Sequence, residues 1–209
     1  KMSPLIIQAA DLVSQVYVFV TGMHMLNKFG LTKEEVRNLE NVDIYEFINQ
    51  RSTDSHAQVL SKTISGFADF IEEIEPDLVF VHGDRVEALA VSLACTTEGV
   101  LVAHVEGGEL SGTIDEIYRH AITKLSDFHF VSSEDAARRV TQLGEQPESI
   151  YVIGSPELDL HLMEPVPIDT VKERYGIEFD EFGIFIFHPV FYERHVTSKY
   201  VKGILDGMV

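Results

Sequence analysis

The stretch HVEGGELSGTIDEIYRHAITKLSDFHF, positions 104–130, sets five acids, three histidines and three glycines between two apolar runs. That is more charge than a packed core holds, because a buried carboxylate is costly unless it is paired or hydrogen-bonded. Such a cluster at a strand end points to acid/base chemistry in a loop and in the helix behind it. The run VLVAHVEGGE closes with His104 and Glu106, which strand alternation places on one face, while Gly107 and Gly108 free the backbone beyond them. A structural histidine and a loop-binding glutamate are the plainer readings of the same pair. Upstream, DLVFVHGDRVEALA puts His82, Gly83, Asp84 and Arg85 at a second strand-to-helix turn. Asp84 there either lines a crevice or caps the following helix. Two strand ends that both carry carboxylates favour a shared crevice.

In SGTIDEIYRHAITKL, Asp115 and Glu116 fall in the first helical turn, where the helix dipole favours anions. Dipole complementation alone accounts for both acids. Asp115 and Arg119 nevertheless share a helix face at i, i+4, and His120 lies close to it. Ser111, Gly112 and Thr113 read as a ligand-contacting loop. Competing chemistries lack their motifs, since GxGxxG, GxxxxGK[ST] and GxSxG are all absent. His24, His82, His104, His120 and His188 are scattered and no cluster has zinc spacing, so neither a metal nor a cofactor is expected.

The elements that must hold these residues follow from the apolar runs. Val16 to Val20, Asp77 to Val81, Val100 to Val105, Phe128 to Val131 and Ile150 to Ile153 have the length and branching of strands buried on both faces. Between them lie the amphipathic, helix-length segments His56 to Ile74, Arg85 to Thr97, Asp115 to Ser126 and Ser133 to Leu143. The alternation predicts an α/β domain with one doubly wound parallel sheet, Rossmann-like, and a ligand crevice at its carboxyl edge. The chain opens on a helix-like segment, Pro4 to Val13, where such a domain normally opens on a strand, so a first strand is expected to be missing. The predicted domain runs over residues 1–163. A linker and short helix cover 164–181, and a second Rossmann-like domain, mostly absent, begins at 182 with a strand over Gly183 to Phe187.

The chain has 209 residues, 45% hydrophobic, enough to bury a sizeable core. A formal charge of −18 with no basic cluster argues against nucleic acid or an anionic membrane as partner. A single cysteine, Cys95, rules out a disulfide framework and indicates a reducing compartment, the cytoplasm. No apolar run approaches the roughly 18 residues of a membrane span.

Six segments occur together in order: TGMH at 21–24, HGDR at 82–85, HVEGGE at 104–109, SGTIDE with RHAITKL at 111–125, GSPELD at 154–159 and FHPV at 187–190. With them the chain resembles the hydrolysing UDP-N-acetylglucosamine 2-epimerases of sialic acid biosynthesis. Non-hydrolysing relatives instead carry an HVEAGLR-type segment. The resemblance implies a two-domain glycosyltransferase-B-like architecture, of which this would be the N-terminal half. It also implies anti elimination of UDP to 2-acetamidoglucal, then hydration to N-acetylmannosamine. Carried over residue by residue, the catalytic groups are Asp84, Glu106, Asp115 and His188. Substrate contacts are expected from His24, Arg85, His104, Gly107, Gly108, Ser111 and Arg119. Besides the UDP-sugar, the expected partners are further copies of the chain in a dimer or tetramer. FYERHVTSKY follows FHPV where the family usually continues with Thr and acidic residues. An epimerase for UDP-N,N'-diacetylbacillosamine, a non-hydrolysing epimerase, a glycosyltransferase and a catalytically silent nucleotide-sugar-binding subunit stand as alternatives. Three acids at adjacent strand ends are more than a glycosyltransferase needs, and a silent subunit would be expected to have lost them.

Overall fold

The computed structural model describes residues 2–162, 166–188 and 191–208. The chain divides into two compact units, Lys1–His161 and Leu162–Val209. The first unit opens with helix α1 (Ser3–Leu12) and strand β1 (Tyr17–Val20), followed by 3-10 turns at Gly22–Met25 and Asn27–Phe29. Helix α2 (Lys33–Val36) and strand β2 (Asp43–Glu46) come next. Strand and helix then alternate through α3 (His56–Ile74), β3 (Leu78–His82), α4 (Val86–Glu98), β4 (Leu101–Val105), α5 (Ile114–Lys124), β5 (Phe128–Val131), α6 (Glu134–Gln142), β6 (Ile150–Val152) and α7 (Pro156–Leu162).

Every strand pair is parallel, as crossover helices require, but the strands make two hydrogen-bonded ladders where one sheet was expected. β1 pairs with β2, and β3-β4-β5-β6 form the second sheet.

The core shows why α3 and α4 hold the two ladders together. Ser55 caps α3 with a reciprocal capping box to Gln58, and Val59, Thr63, Gly66, Phe67, Phe70 and Ile71 recur along one face at helical spacing. That face buries Phe67, Phe70 and Ile71 against Val81, Val91, Val102 and Ile122, with Phe19 of β1 and Tyr45 of β2 packed alongside. The rings of Phe19 and Tyr45 stack at 5.5 Å, and Phe19 meets Phe67 edge-on at 4.9 Å. Cys95 is fully buried in this core, and loss of hydration pushes its thiol pKa up to about 12.

The second unit holds α8 (Ile168–Tyr175), a 3-10 segment at Phe191–Val196 and α9 (Thr197–Met208). Its expected strand over Gly183 to Phe187 is not formed, and these residues pair with no other segment among the described residues. A strand is defined by its partner, and here Ile184 and Ile186 stand 80% and 70% exposed. Residues 164 and 165 of the expected linker, and Pro189 and Val190 of FHPV, lie outside the described residues. No helix among the described residues is long and apolar enough to cross a membrane.

Candidate active site

The acids sit where parallel-sheet geometry puts ligands, at the carboxyl ends of β3 and β4 and on the first turn of α5. Asp84 does not cap α4. Arg85 occupies the N-cap with no side-chain cap hydrogen bond, and the Asp84 carboxylate instead accepts a hydrogen bond from Arg119 Nη2. Arg119 is buried on α5, and its Nη1 donates to the Glu109 carbonyl at 2.8 Å. One guanidinium thus ties the strand-end acid to the Gly-rich loop, a fork that only Arg supplies. The Glu109 side chain accepts from Ser132 at the end of β5.

Glu106 departs from the strand pattern. β4 ends at Val105, and Glu106 adopts φ +63°, a left-handed conformation uncommon for a residue with a Cβ. Ser155, just beyond β6, donates to Glu106 Oε1, and His82 Nε2 lies 2.9 Å from Oε2. Glu106 and His104 therefore do not serve a common ligand face, contrary to the alternation argument.

His104, expected as a substrate contact, lies inside the unit as a fastener between two elements. It is fully buried, with Nε2 donating to the Gly83 carbonyl at 2.8 Å and Nδ1 3.1 Å from the Thr123 hydroxyl. It joins the β3 turn to α5. Burial outweighs the Gly83 hydrogen bond and pushes its pKa down to about 3. The unfolded chain takes up this proton near 6.5, so below that pH it binds more protons than the folded chain. Stability is expected to be full above about pH 6.5 and to fall as the pH drops toward 3, by about 2 kcal/mol at pH 5 from His104 alone. His129, also lowered chiefly by burial, adds a loss of the same sign. Urea midpoints at pH 7.5 and pH 5 check this, and a His104→Gln variant should lose less on acidification.

Gly107 and Gly108 stand where the loop packs closely against its neighbours. A Cβ on Gly107 would stand 2.9 Å from His104 Nδ1, and one on Gly108 would stand 2.5 Å from the Ala136 carbonyl oxygen of α6. In the SGTID loop, Glu116 Oε2 accepts from the backbone N–H groups of Ser111 and Gly112 at 2.6 and 2.7 Å. Those two bonds hold its carboxyl below the usual range and fix the loop. Ser111 is exposed, and Thr113 donates to Asp115 Oδ2 at 3.2 Å.

Asp84, Arg85 and Asp115 meet at one cavity of about 270 Å³, whose other walls are His56, Val86 and Tyr118. His56 and Tyr118 carry no motif signal; His56 opens α3, and its ring lies 6.4 Å from that of Tyr118. Glu106 and His24 are not among the lining residues. His24 Nδ1 lies 2.6 Å from the Thr32 hydroxyl. Its turn is fixed by Asn49, a fully buried residue that sequence reading passed over. Asn49 Oδ1 accepts from Gly22 N at 3.1 Å, and its Nδ2 donates to Thr63 at 2.8 Å. His188 is exposed on the second unit. Among the described residues no group of three or more His, Cys, Asp or Glu is placed to hold a metal ion.

A parallel, Rossmann-like α/β unit with carboxylates gathered at its carboxyl edge defines one half of a glycosyltransferase-B-like architecture. The chain belongs to the UDP-N-acetylglucosamine 2-epimerase family, whose profile matches residues 8–208. It is 43% identical over 187 residues to a UDP-N-acetylglucosamine 2-epimerase of Neisseria meningitidis serogroup B, covering 89% of this chain and 50% of that protein. It is 35% identical over 182 residues to the UDP-N,N'-diacetylbacillosamine 2-epimerase (hydrolyzing) of Legionella pneumophila, covering 84% of this chain and 48% of the relative. The solved UDP-GlcNAc 2-epimerase of Methanocaldococcus jannaschii superposes with a TM-score of 0.65 at 26% identity, over 78% of this chain and 44% of its own. The chain spans about half the length of the curated relatives it matches.

Proposed function

We propose that the protein is a cytoplasmic, homo-oligomeric, hydrolysing UDP-N-acetylglucosamine 2-epimerase, forming N-acetylmannosamine and UDP for sialic acid biosynthesis. The observation that carries this reading is the convergence of Asp84 and Asp115 on one cavity, with Glu106 at the neighbouring strand end. Residues 1–163 form the catalytic domain, and a nucleotide-binding domain begins at 182.

The chemistry needs groups of this kind. A base takes the C2 proton as the C1–O bond to UDP breaks, leaving 2-acetamidoglucal. Water then adds at C1 and a proton returns to C2 on the opposite face, so UDP-N-acetylglucosamine and water become N-acetylmannosamine and UDP. Glu106 and Asp115 are assigned to proton abstraction and water delivery, and Asp84, oriented by Arg119, is their acid/base partner. Arg85 at the cavity wall suits the diphosphate, and His188 is assigned to the sugar phosphate. His24 and Ser111 are assigned to the sugar side. The Gly108-Glu109 pair and the SGTID loop, where non-hydrolysing relatives carry an HVEAGLR-type segment, support the hydrolysing branch by resemblance.

A second substrate, UDP-N,N'-diacetylbacillosamine, is favoured by the Legionella relative. Proton NMR of the full-length protein with UDP-N-acetylglucosamine in deuterated water separates the readings. Free N-acetylmannosamine deuterated at C2, with released UDP, is the expected outcome. Accumulation of UDP-N-acetylmannosamine would overturn the hydrolysing assignment, and turnover of the bacillosamine sugar alone would move the substrate.

A further inference from the structure

We infer that His82 and Ser155 are positioning residues for Glu106, gripping its carboxylate from the end of β3 on one side and from the segment after β6 on the other. The inference rests on the proposed function, in which Glu106 does proton chemistry. His82 is the last residue of β3, and Ser155 follows β6. One reaches each oxygen of Glu106, His82 Nε2 at 2.9 Å from Oε2 and Ser155 Oγ donating to Oε1. The carboxylate is only 17% exposed and the imidazole 22%, so water does little to hold either.

The backbone argues that this arrangement has a purpose. A non-glycine residue held left-handed is strained, and such strain persists where surrounding structure enforces it. Glu106 N donates to the Phe130 carbonyl at 2.8 Å, which fixes the residue just past the end of β4. With its backbone so turned, the side chain is aimed by His82 and Ser155. A base held by two partners loses less orientational freedom at the moment of transfer, and misplacement by about 1 Å costs about 100-fold in rate. Ser155 belongs to the GSPELD segment and His82 to HGDR, so two otherwise unassigned motif positions gain a role through Glu106.

The test is a double-mutant cycle on the full-length protein, run with whichever of the two UDP-sugars it hydrolyses. His82→Ala and Ser155→Ala should each lower kcat about 10- to 100-fold with KM changed less than about threefold. In a Glu106→Gln background neither should lower kcat further, because a positioning residue has nothing left to position. His82→Gln, which keeps a donor of similar reach, should recover part of the loss. Full activity of both single variants, or a further fall in the Glu106→Gln background, would overturn the inference while leaving the proposed function standing. A fully active Glu106→Gln enzyme would overturn the inference and the role assigned to Glu106, whereas no turnover of either sugar by the unsubstituted protein would overturn the proposed function itself.

Discussion

Asp84→Asn is expected to lower turnover of the UDP-sugar about 100-fold or more while leaving the fold intact. The side chain keeps its shape, and its amide oxygen still accepts from Arg119, which also remains bound to the Glu109 carbonyl. What disappears is the charge and the capacity to take up a proton at the cavity. Arg119→Ala makes the complementary case. It strips Asp84 of its partner and frees the Glu109 carbonyl, so it should reduce both turnover and stability. Because the Asp84 side chain is 29% exposed, the stability loss should fall below the 3–5 kcal/mol typical of a broken buried pair, at about 2 kcal/mol. Thermal melts and steady-state rates on both variants separate charge from architecture. An Asp84→Asn enzyme with wild-type turnover would return Asp84 to a structural role, as the anchor of α5 to the end of β3.

The residues that could be read in advance are those whose position follows from chain-local pattern. The runs that became β3 to β6 and the helices between them are apolar and periodic, so their order and parallel sense were legible, and with them the strand-end placement of Asp84 and Glu106. β2 was not, because DIYE is four residues with an acid at each end and pairs only through β1. The segment Gly183 to Phe187 misled for the opposite reason. Its composition suits a strand, but composition supplies no partner. Within the site, identities were legible and orientations were not. The positive φ of Glu106 is a tertiary outcome, and it breaks the period-two rule that paired its side chain with His104. Asn49, Ser155, His56 and Tyr118 act across sequence separations that no local window spans. Asn49 reaches back 27 residues to Gly22, and Ser155 reaches back 49 to Glu106.

Gly108→Ala should be among the most damaging single-methyl changes in the chain, and the reasons are separable. Gly108 has φ +80°, where an L-residue pays roughly 1–2 kcal/mol for its Cβ. That Cβ would also lie 2.5 Å from the Ala136 carbonyl oxygen and 3.0 Å from two other backbone atoms of the same residue. Backbone in a helix cannot swing aside as a side-chain tip does. Ala136 is itself fully buried beside Val131 and Val140, so relief must come from moving the loop. Overpacking of this kind adds about 1–3 kcal/mol, for a combined loss of about 3 kcal/mol or more. In a chain of 209 residues that corresponds to a melting point lowered by about 6–12 °C. The loop cannot retreat alone, since the Gly108 carbonyl accepts from Arg139 at 2.9 Å and the Glu109 carbonyl from Arg119. The displacement should therefore reach Asp84 through Arg119, and turnover should fall in variants that still fold. Scanning calorimetry paired with rates at 20 °C tests both halves. A Gly108→Ala protein with unchanged melting point would mean that the loop does not approach α6 as closely as this structure has it.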